Sequence, residues 1–272
     1  NEKTICHSKN GLVSQEIYAA DKVVVPTPYQ MRRFPDSLRS NMCVIFDGID
    51  DSLFRPRVIN EDICITCADG SPLLIASHDL ILSYATRGME PLRGFPEFMR
   101  AAAEASKNFP RLKIVVAGND RVAYSYLSKN HNGSWKDTML EQLSNSIRTE
   151  SICFTGLLSY SDLALLFNRS NLHVYFSRPY VPSWGLFQAI ASGASLLVNK
   201  LDVLEGFFPS STQESFQFVD LDNQDMVNNS VLHCLSKSNS LNPEQKTFKW
   251  PFEWKLNNCL YEWKALVDSL CS

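Results

Sequence analysis

With 272 residues, the chain is long enough for one large domain or two small ones, and 44% hydrophobic content supplies a sizeable core. A net charge of −3 and an isoelectric point near 6.0 exclude a general nucleic-acid binder, while leaving room for a local basic pocket. No apolar run approaches the ~18–20 residues needed to span a bilayer, and no signal-peptide pattern opens the chain, so the expected compartment is the cytoplasm.

The chain opens on Asn, which points to a fragment or a trimmed product. Residues 1–16 are polar and read as the continuation of a helix. Lys22–Pro26 is a short Val-rich strand. Thr27 can cap a helix that starts at Pro28 and stops at Pro35. Met42–Phe46 is a second strand, closed by the turn Asp47-Gly48-Ile49-Asp50. Residues 51–72, with Pro56, Asp69-Gly70 and Pro72, read as a linker plus a small ribbon.

From Ser71 onward strands and helices alternate. Leu80–Ala85, Lys113–Ala117, Ile152–Thr155, Leu172–Phe176, Ser195–Val198 and Phe216–Val219 are expected strands. Between them lie helices at 96–109, from a capping box at Ser134 to Ile147, at 163–168 capped by Ser161, and at 184–192 capped by Ser183 and ended by Gly193. A long amphipathic helix from Phe252 to Leu270 carries Cys259, Leu260, Trp263, Val267 and Leu270 on one side, and packing on the main sheet is its simplest use. This rhythm predicts an α/β fold with a doubly wound parallel sheet, whose ligands bind beyond the carboxyl ends of the strands.

Eight cysteines are scattered, and Cys64-Ile-Thr-Cys67 is the one close pair. Nothing completes a zinc site, so the cysteines read as small buried residues in a reducing compartment. The sequons at Asn132, Asn168 and Asn228 read as chance matches. His173 alternates with inward residues, and a lone strand histidine is more often structural than catalytic.

Two loops carry the chemistry. The strand ending at Ala85 opens into Thr86-Arg87-Gly88-Met89-Glu90-Pro91-Leu92-Arg93-Gly94. Two arginines on a Gly/Pro-braced loop suit a diphosphate, because each guanidinium can fork onto two oxygens. The strand ending at Phe176 opens into a loop with Pro179 and Pro182, then the helix from Trp184. The N–H groups around Trp184, Gly185 and Leu186, with the positive end of the helix dipole, make an anion site. Gly118, after a strand end, would let a ligand approach the backbone or serve simply as a turn glycine, and Gly88 is counted with it among the ligand-binding residues.

Together, in this order and about 90 residues apart, these loops resemble the carboxyl-terminal, donor-binding half of a family 4 glycosyltransferase with the GT-B fold. The similarity is greatest to a subgroup whose loop reads Arg-Gly-Met-Glu-Pro-x-Arg-Gly-Phe-Pro, and Asp120-Arg-Val-Ala-Tyr124 matches that subgroup again, without a role read for it. The first two strands and "Asp-Gly-Ile-Asp…Phe-Arg-Pro" resemble the end of the family's amino-terminal domain, onto which the final helix of GT-B enzymes crosses back, a second placement for Phe252–Leu270 besides its own sheet.

The resemblance implies domains at 1–50 (remnant of the acceptor domain), 51–72 (linker) and 73–272 (nucleotide-sugar donor domain). It implies retaining transfer from a UDP- or GDP-linked sugar, with no metal and no separate cofactor. Arg87 and Arg93 would neutralise the leaving diphosphate, favouring the transition state over the ground state. Ser183, Trp184, Gly185 and Leu186 would hold the same oxygens. The family's ribose-binding Glu-x7-Glu motif falls here on Tyr180 and Gln188, so Gln188 would reach the ribose with a neutral amide. The acceptor would be a sugar or glycan, and an upstream amino-terminal domain would be the route to any peripheral membrane contact. The Gln also keeps open a degenerate nucleotide-sugar-binding scaffold, and the fold keeps open a sugar-nucleotide epimerase. A dehydrogenase is disfavoured, since no Gly-x-Gly-x-x-Gly follows a strand.

Overall fold

A computed structural model describes residues 2–178, 183–200, 216–238 and 252–271. The chain forms two units, Asn1–Asp51 with Trp250–Ser272, and Ser52–Lys249. The expected boundaries therefore shift at both ends of the larger domain. Residues 52–72 fold with it, and residues 250–272 leave it for the smaller unit.

The smaller unit starts with α1 (Glu2–Ala19), β1 (Val23–Val25), α2 (Pro28–Arg32), α3 (Asp36–Arg39) and β2 (Met42–Val44). Thr27 caps α2 by accepting from the Gln30 N–H at 3.2 Å. β1 and β2 pair in parallel, and Ile17, Leu38 and Met42 bury a small core beneath them.

In the larger unit, β3 (Ile63–Thr66) and β4 (Pro72–Ile75) form an antiparallel ribbon. The main sheet comprises β5 (Leu80–Gly88), β6 (Leu112–Asn119), β7 (Ile152–Gly156), β8 (Leu172–Tyr175), β9 (Leu196–Asn199) and β10 (Phe216–Val219). Its order is β10-β9-β8-β5-β6-β7, and every pairing is parallel. The chain winds outward from β5 to β7, returns to the other side of β5 as β8, and winds outward again. The crossing point lies between β5 and β8, where a doubly wound sheet opens its crevice.

The connecting helices are α4 (Phe95–Asn108), α5 (Trp135–Gln142), α6 (Tyr160–Arg169), α7 (Trp184–Ala191) and α8 (Gln224–Ser238). Alternate residues of β5 face opposite cores. Leu80, Leu82 and Tyr84 pack with Phe98, Met99, Val227 and Val231 of α4 and α8, while Ile81 packs with Leu166 and the ribbon residues Ile65 and Ile75. Full burial on both faces is why these strands read as continuous apolar runs.

Local corrections follow from the hydrogen bonds. Ser159, not Ser161, caps α6, accepting from the Asp162 N–H at 3.1 Å. α5 ends at Gln142, short of Ile147. Asn168 is buried and bonds the Arg55 and Ala164 carbonyls, which removes it as a glycan acceptor. Cys67 and Cys153 form a disulfide, because the ribbon crosses β7 with their Cα atoms 5.4 Å apart. The reduced, buried reading therefore fails for that pair, and Cys64 and Cys271 are exposed.

The chain closes with α9 (Leu256–Cys271) in the smaller unit. Leu256 N–H donates to the Ile49 carbonyl and Ile49 N–H to the Trp254 carbonyl, both at 3.0 Å. Cys259 is buried, but Leu260, Val267 and Leu270 are about half exposed. The helix is thus assigned to the smaller unit, attached there through its start.

Candidate functional site

Both predicted loops leave the sheet at the β5/β8 crossing, and they are stitched together. After β5, Glu90 starts a 3-10 turn, Pro91–Arg93, that leads through Gly94 into α4. After β8, the Arg178 N–H donates to the Leu92 carbonyl at 2.8 Å, and Arg93 Nη1 donates to Ser177 Oγ at 3.1 Å. Asn199 at the end of β9 holds the backbone of Ser177 from beneath. Arg178 pairs with Glu97 in the first turn of α4 and with Asp222, so its charge is committed to fastening the loop.

Arg87 and Arg93 meet on one side chain that the sequence did not single out. Arg87 Nη1 donates to Tyr124 Oη at 3.3 Å, and the Arg93 guanidinium lies 5.3 Å from the centroid of the Tyr124 ring. The second contact is a cation–π arrangement. Arg121, in the same loop, donates from Nε to the Arg87 carbonyl at 3.4 Å and adds a third basic residue to the neighbourhood. The main chain of Arg93 is fixed as well, since its carbonyl accepts from Tyr84 Oη at 2.7 Å. Burial raises the pKa of that phenol above its ordinary value, which keeps it a proton donor.

Tyr124 is held by Glu90. The Glu90 side chain is fully buried, and its Oε2 accepts the N–H groups of Ala123, Tyr124 and Ser125 at 3.0, 2.9 and 2.9 Å. The subgroup-like segment Asp120–Tyr124 thus acquires a structural partner, namely the Glu of the other matching segment. Sequence reasoning missed it because the acceptor's partners are backbone groups.

The glycines divide into two kinds. A Cβ on Gly118 would lie 2.0 Å from the Thr86 carbonyl oxygen, and one on Gly88 would lie 2.6 Å from that of Arg121. At both positions protein backbone occupies the space, so the strand ends themselves demand glycine. At Gly185 the nearest atom that a Cβ would meet among the described residues is Ser183 Oγ at 3.7 Å, an ordinary contact. The described residues make no such demand there.

Ser183 occupies the N-cap position of α7 but makes no side-chain cap bond. Its N–H donates instead to Tyr175 Oη at 3.0 Å, which ties the helix start to the end of β8. The Leu186 N–H is used within the turn, donating to the Ser183 carbonyl at 3.0 Å, so it is not an open anion ligand. Trp184 is 41% exposed, and Gln188 is half-buried one turn into the helix. The loop residues 179–182, including Tyr180, lie outside the described residues.

His173 sits in the middle of the sheet, its Nδ1 2.9 Å from Ser83 Oγ and its ring against Phe167. It is remote from the loop ends by register, pairing with Ser83 rather than with Arg87. Among the described residues no three His, Cys, Asp or Glu side chains gather as metal ligands would. No described helix is long and apolar enough to cross a membrane.

Comparison with known proteins bears on the fold and on the first residues of the chain. Residues 1–54 match the family described as the glycosyl transferase family 4 group. No curated protein matches the chain by sequence. By fold, the chain is similar to a glycosyltransferase from Rickettsia africae (TM-score 0.63, 15% identity, 93% of this chain and 64% of that one). It is also similar to HepE from Anabaena in complex with UDP-glucose (TM-score 0.61, 11% identity, 92% and 64%). A third is the pneumococcal O-GlcNAc transferase GtfA in complex with UDP and GlcNAc (TM-score 0.60, 15% identity, 93% and 46%). The chain spans less than two-thirds of the length of each of these solved proteins. It has the GT-B type of α/β fold and resembles family 4 glycosyltransferases in sequence over its first 54 residues.

Proposed function

We propose that the larger unit binds the donor of a retaining glycosyl transfer, a sugar linked to UDP or GDP, with Arg87 and Arg93 on its diphosphate. The observation that carries this reading is the convergence of both guanidiniums on Tyr124, beside Ser177 from the loop after β8. That brings two cations to the crossing point of a doubly wound sheet, where such folds bind nucleotides. HepE and GtfA, which share the fold, were each solved with UDP or a UDP-sugar.

The chemistry asked of these residues is electrostatic. As the glycosidic bond breaks, negative charge grows on the departing diphosphate. Cations already held in place by Tyr124, Ser177 and the Tyr84–Arg93 bond need little reorganisation to meet it. The positive end of α7 adds to the same field. Gln188 would accept or donate one bond to a ribose hydroxyl. The acceptor would be a sugar or glycan, in a biosynthetic reaction that transfers a hexose without a metal ion or separate cofactor.

The test is calorimetric titration of the full chain with UDP and with GDP. Wild type should bind one of them, and each of Arg87→Ala and Arg93→Ala should weaken that binding by roughly 10- to 100-fold, the range of hydrogen bonds between charged groups. Binding by the double variant equal to wild type, or no binding by wild type, rejects the donor-site reading. In a separate incubation with a nucleotide-sugar and no acceptor, conversion of the nucleotide-sugar would point to the epimerase instead.

A further inference from the structure

We propose that Glu90 is a positioning residue of the donor site, whose buried carboxylate holds Tyr124 between Arg87 and Arg93 and thereby sets the spacing of the two guanidiniums. The inference rests on the donor-site reading and deepens it.

A fully buried carboxylate is costly unless its oxygens are well supplied with donors. Glu90 meets that cost on one side only. Oε2 takes three consecutive N–H groups, from Ala123, Tyr124 and Ser125, whereas Oε1 is buried with no hydrogen-bond partner among the described residues. Charged acceptors make about twice as strong a bond to an N–H as neutral ones. The arrangement is therefore a strong local tether applied to one short segment.

Both ends of the tether belong to the arginine pair. The Glu90 carbonyl accepts the Arg93 N–H at 3.0 Å and so forms the turn that presents Arg93. Its carboxylate gathers the segment that presents Tyr124, and Tyr124 touches both guanidiniums. Arg87 and Arg93 stand three residues before and three after Glu90. Two guanidiniums brought to one anion repel each other, and a tyrosine that takes Arg87 at its hydroxyl and Arg93 over its ring gives each a separate seat without removing either charge. Glu90 touches no ligand in this account. It acts through Tyr124.

The role predicts an ordered set of variants. Glu90→Gln retains an oxygen acceptor of nearly the same shape, and Glu90→Ala retains none. Amide hydrogen exchange across residues 122–127 should accelerate at least tenfold in Glu90→Gln and further in Glu90→Ala, with the rest of the sheet unchanged. UDP or GDP, whichever wild type binds, should bind about tenfold more weakly to Glu90→Gln and more weakly still to Glu90→Ala. Adding Glu90→Gln to Tyr124→Ala should cost little further, because residues acting as one unit do not add.

Unchanged exchange at 122–127 would overturn the tether. Faster exchange with unaltered nucleotide affinity, or fully additive losses in the double variant, would leave Glu90 structural and overturn its positioning role. Failure of wild type to bind either nucleotide would instead remove the donor-site reading and this inference with it. Glu90→Gln carries the test if Glu90→Ala does not fold.

Discussion

Asn199 and Ser177 bond reciprocally across the end of the sheet: Ser177 N–H donates to Asn199 Oδ1 at 2.8 Å, and Asn199 Nδ2 donates to the Ser177 carbonyl at 2.7 Å. Both residues are nearly inaccessible to water. Ser177 in turn supports Arg93, so the pair links the end of β9 to the candidate site. Asn199→Ala leaves a buried N–H and a buried carbonyl unsatisfied, each worth about 1–3 kcal/mol. Unfolding in urea should show a loss of about 2–4 kcal/mol, and nucleotide affinity should fall with it. A variant as stable as wild type would mean that water replaces the amide.

Gly94 and Gly185 should respond oppositely to alanine. Gly94 has φ of 65°, and its added Cβ would lie 2.5 Å from Phe176 Cβ. The left-handed backbone costs roughly 1–2 kcal/mol and the overlap a further 1–3. Gly94→Ala should therefore lower stability by several kcal/mol. Among the described residues Gly185→Ala meets only an ordinary contact at 3.7 Å, so its thermal midpoint should match or exceed that of wild type. If the helix start accepts the diphosphate closely, Gly185→Ala should still weaken UDP binding by tenfold or more. Loss of stability at position 185, or unaltered binding, would count against a ligand there.

The sheet was legible because strands buried on both faces leave continuous apolar runs, and β5 to β9 were read within a few residues of their ends. α8 was not, since Val227, Val231 and Leu235 alone carry its stripe and the intervening Asn228-Asn229-Ser230 are weak helix formers. Arg87 and Arg93 stood out as basic residues on a braced loop. Tyr124 did not, because its contact with Arg87 spans 37 residues and leaves no local pattern. Glu90 was hidden for a different reason: its partners are main-chain amides, which every residue has. The Cys67–Cys153 pair, separated by 86 residues, was equally invisible to spacing.

Gln188→Glu tests the ribose contact. Gln188 is half-buried, one turn into α7. A carboxylate there would bond a hydroxyl more strongly than the amide, by on the order of 1 kcal/mol. Repulsion from the diphosphate opposes this, and Arg87 with Arg93 offsets much of it. The expected result is nucleotide binding several-fold tighter by titration calorimetry. Equal or weaker binding would place position 188 away from the ribose.

His173 should make stability depend on pH. Burial pushes its pKa down to about 3 from the ordinary 6.5. The imidazole accepts or donates one bond to Ser83 within the sheet and stays neutral in the folded chain. Once unfolded, it titrates near 6.5. Between about pH 6.5 and pH 3 the unfolded chain thus holds a proton that the folded chain does not. Stability from this group is complete above that window and is lost as pH falls through it, by at most about 1.4 kcal/mol per pH unit. Lowering the pH from 6.5 to 5 should cost wild type up to about 2 kcal/mol more than it costs His173→Asn. The variant keeps a polar group near Ser83 but has no proton to gain, and it should be the less stable protein at pH 7.5 because Phe167 loses its ring partner. Urea unfolding of both chains at several pH values measures the difference directly. Parallel pH profiles would show that the imidazole is not the titrating group.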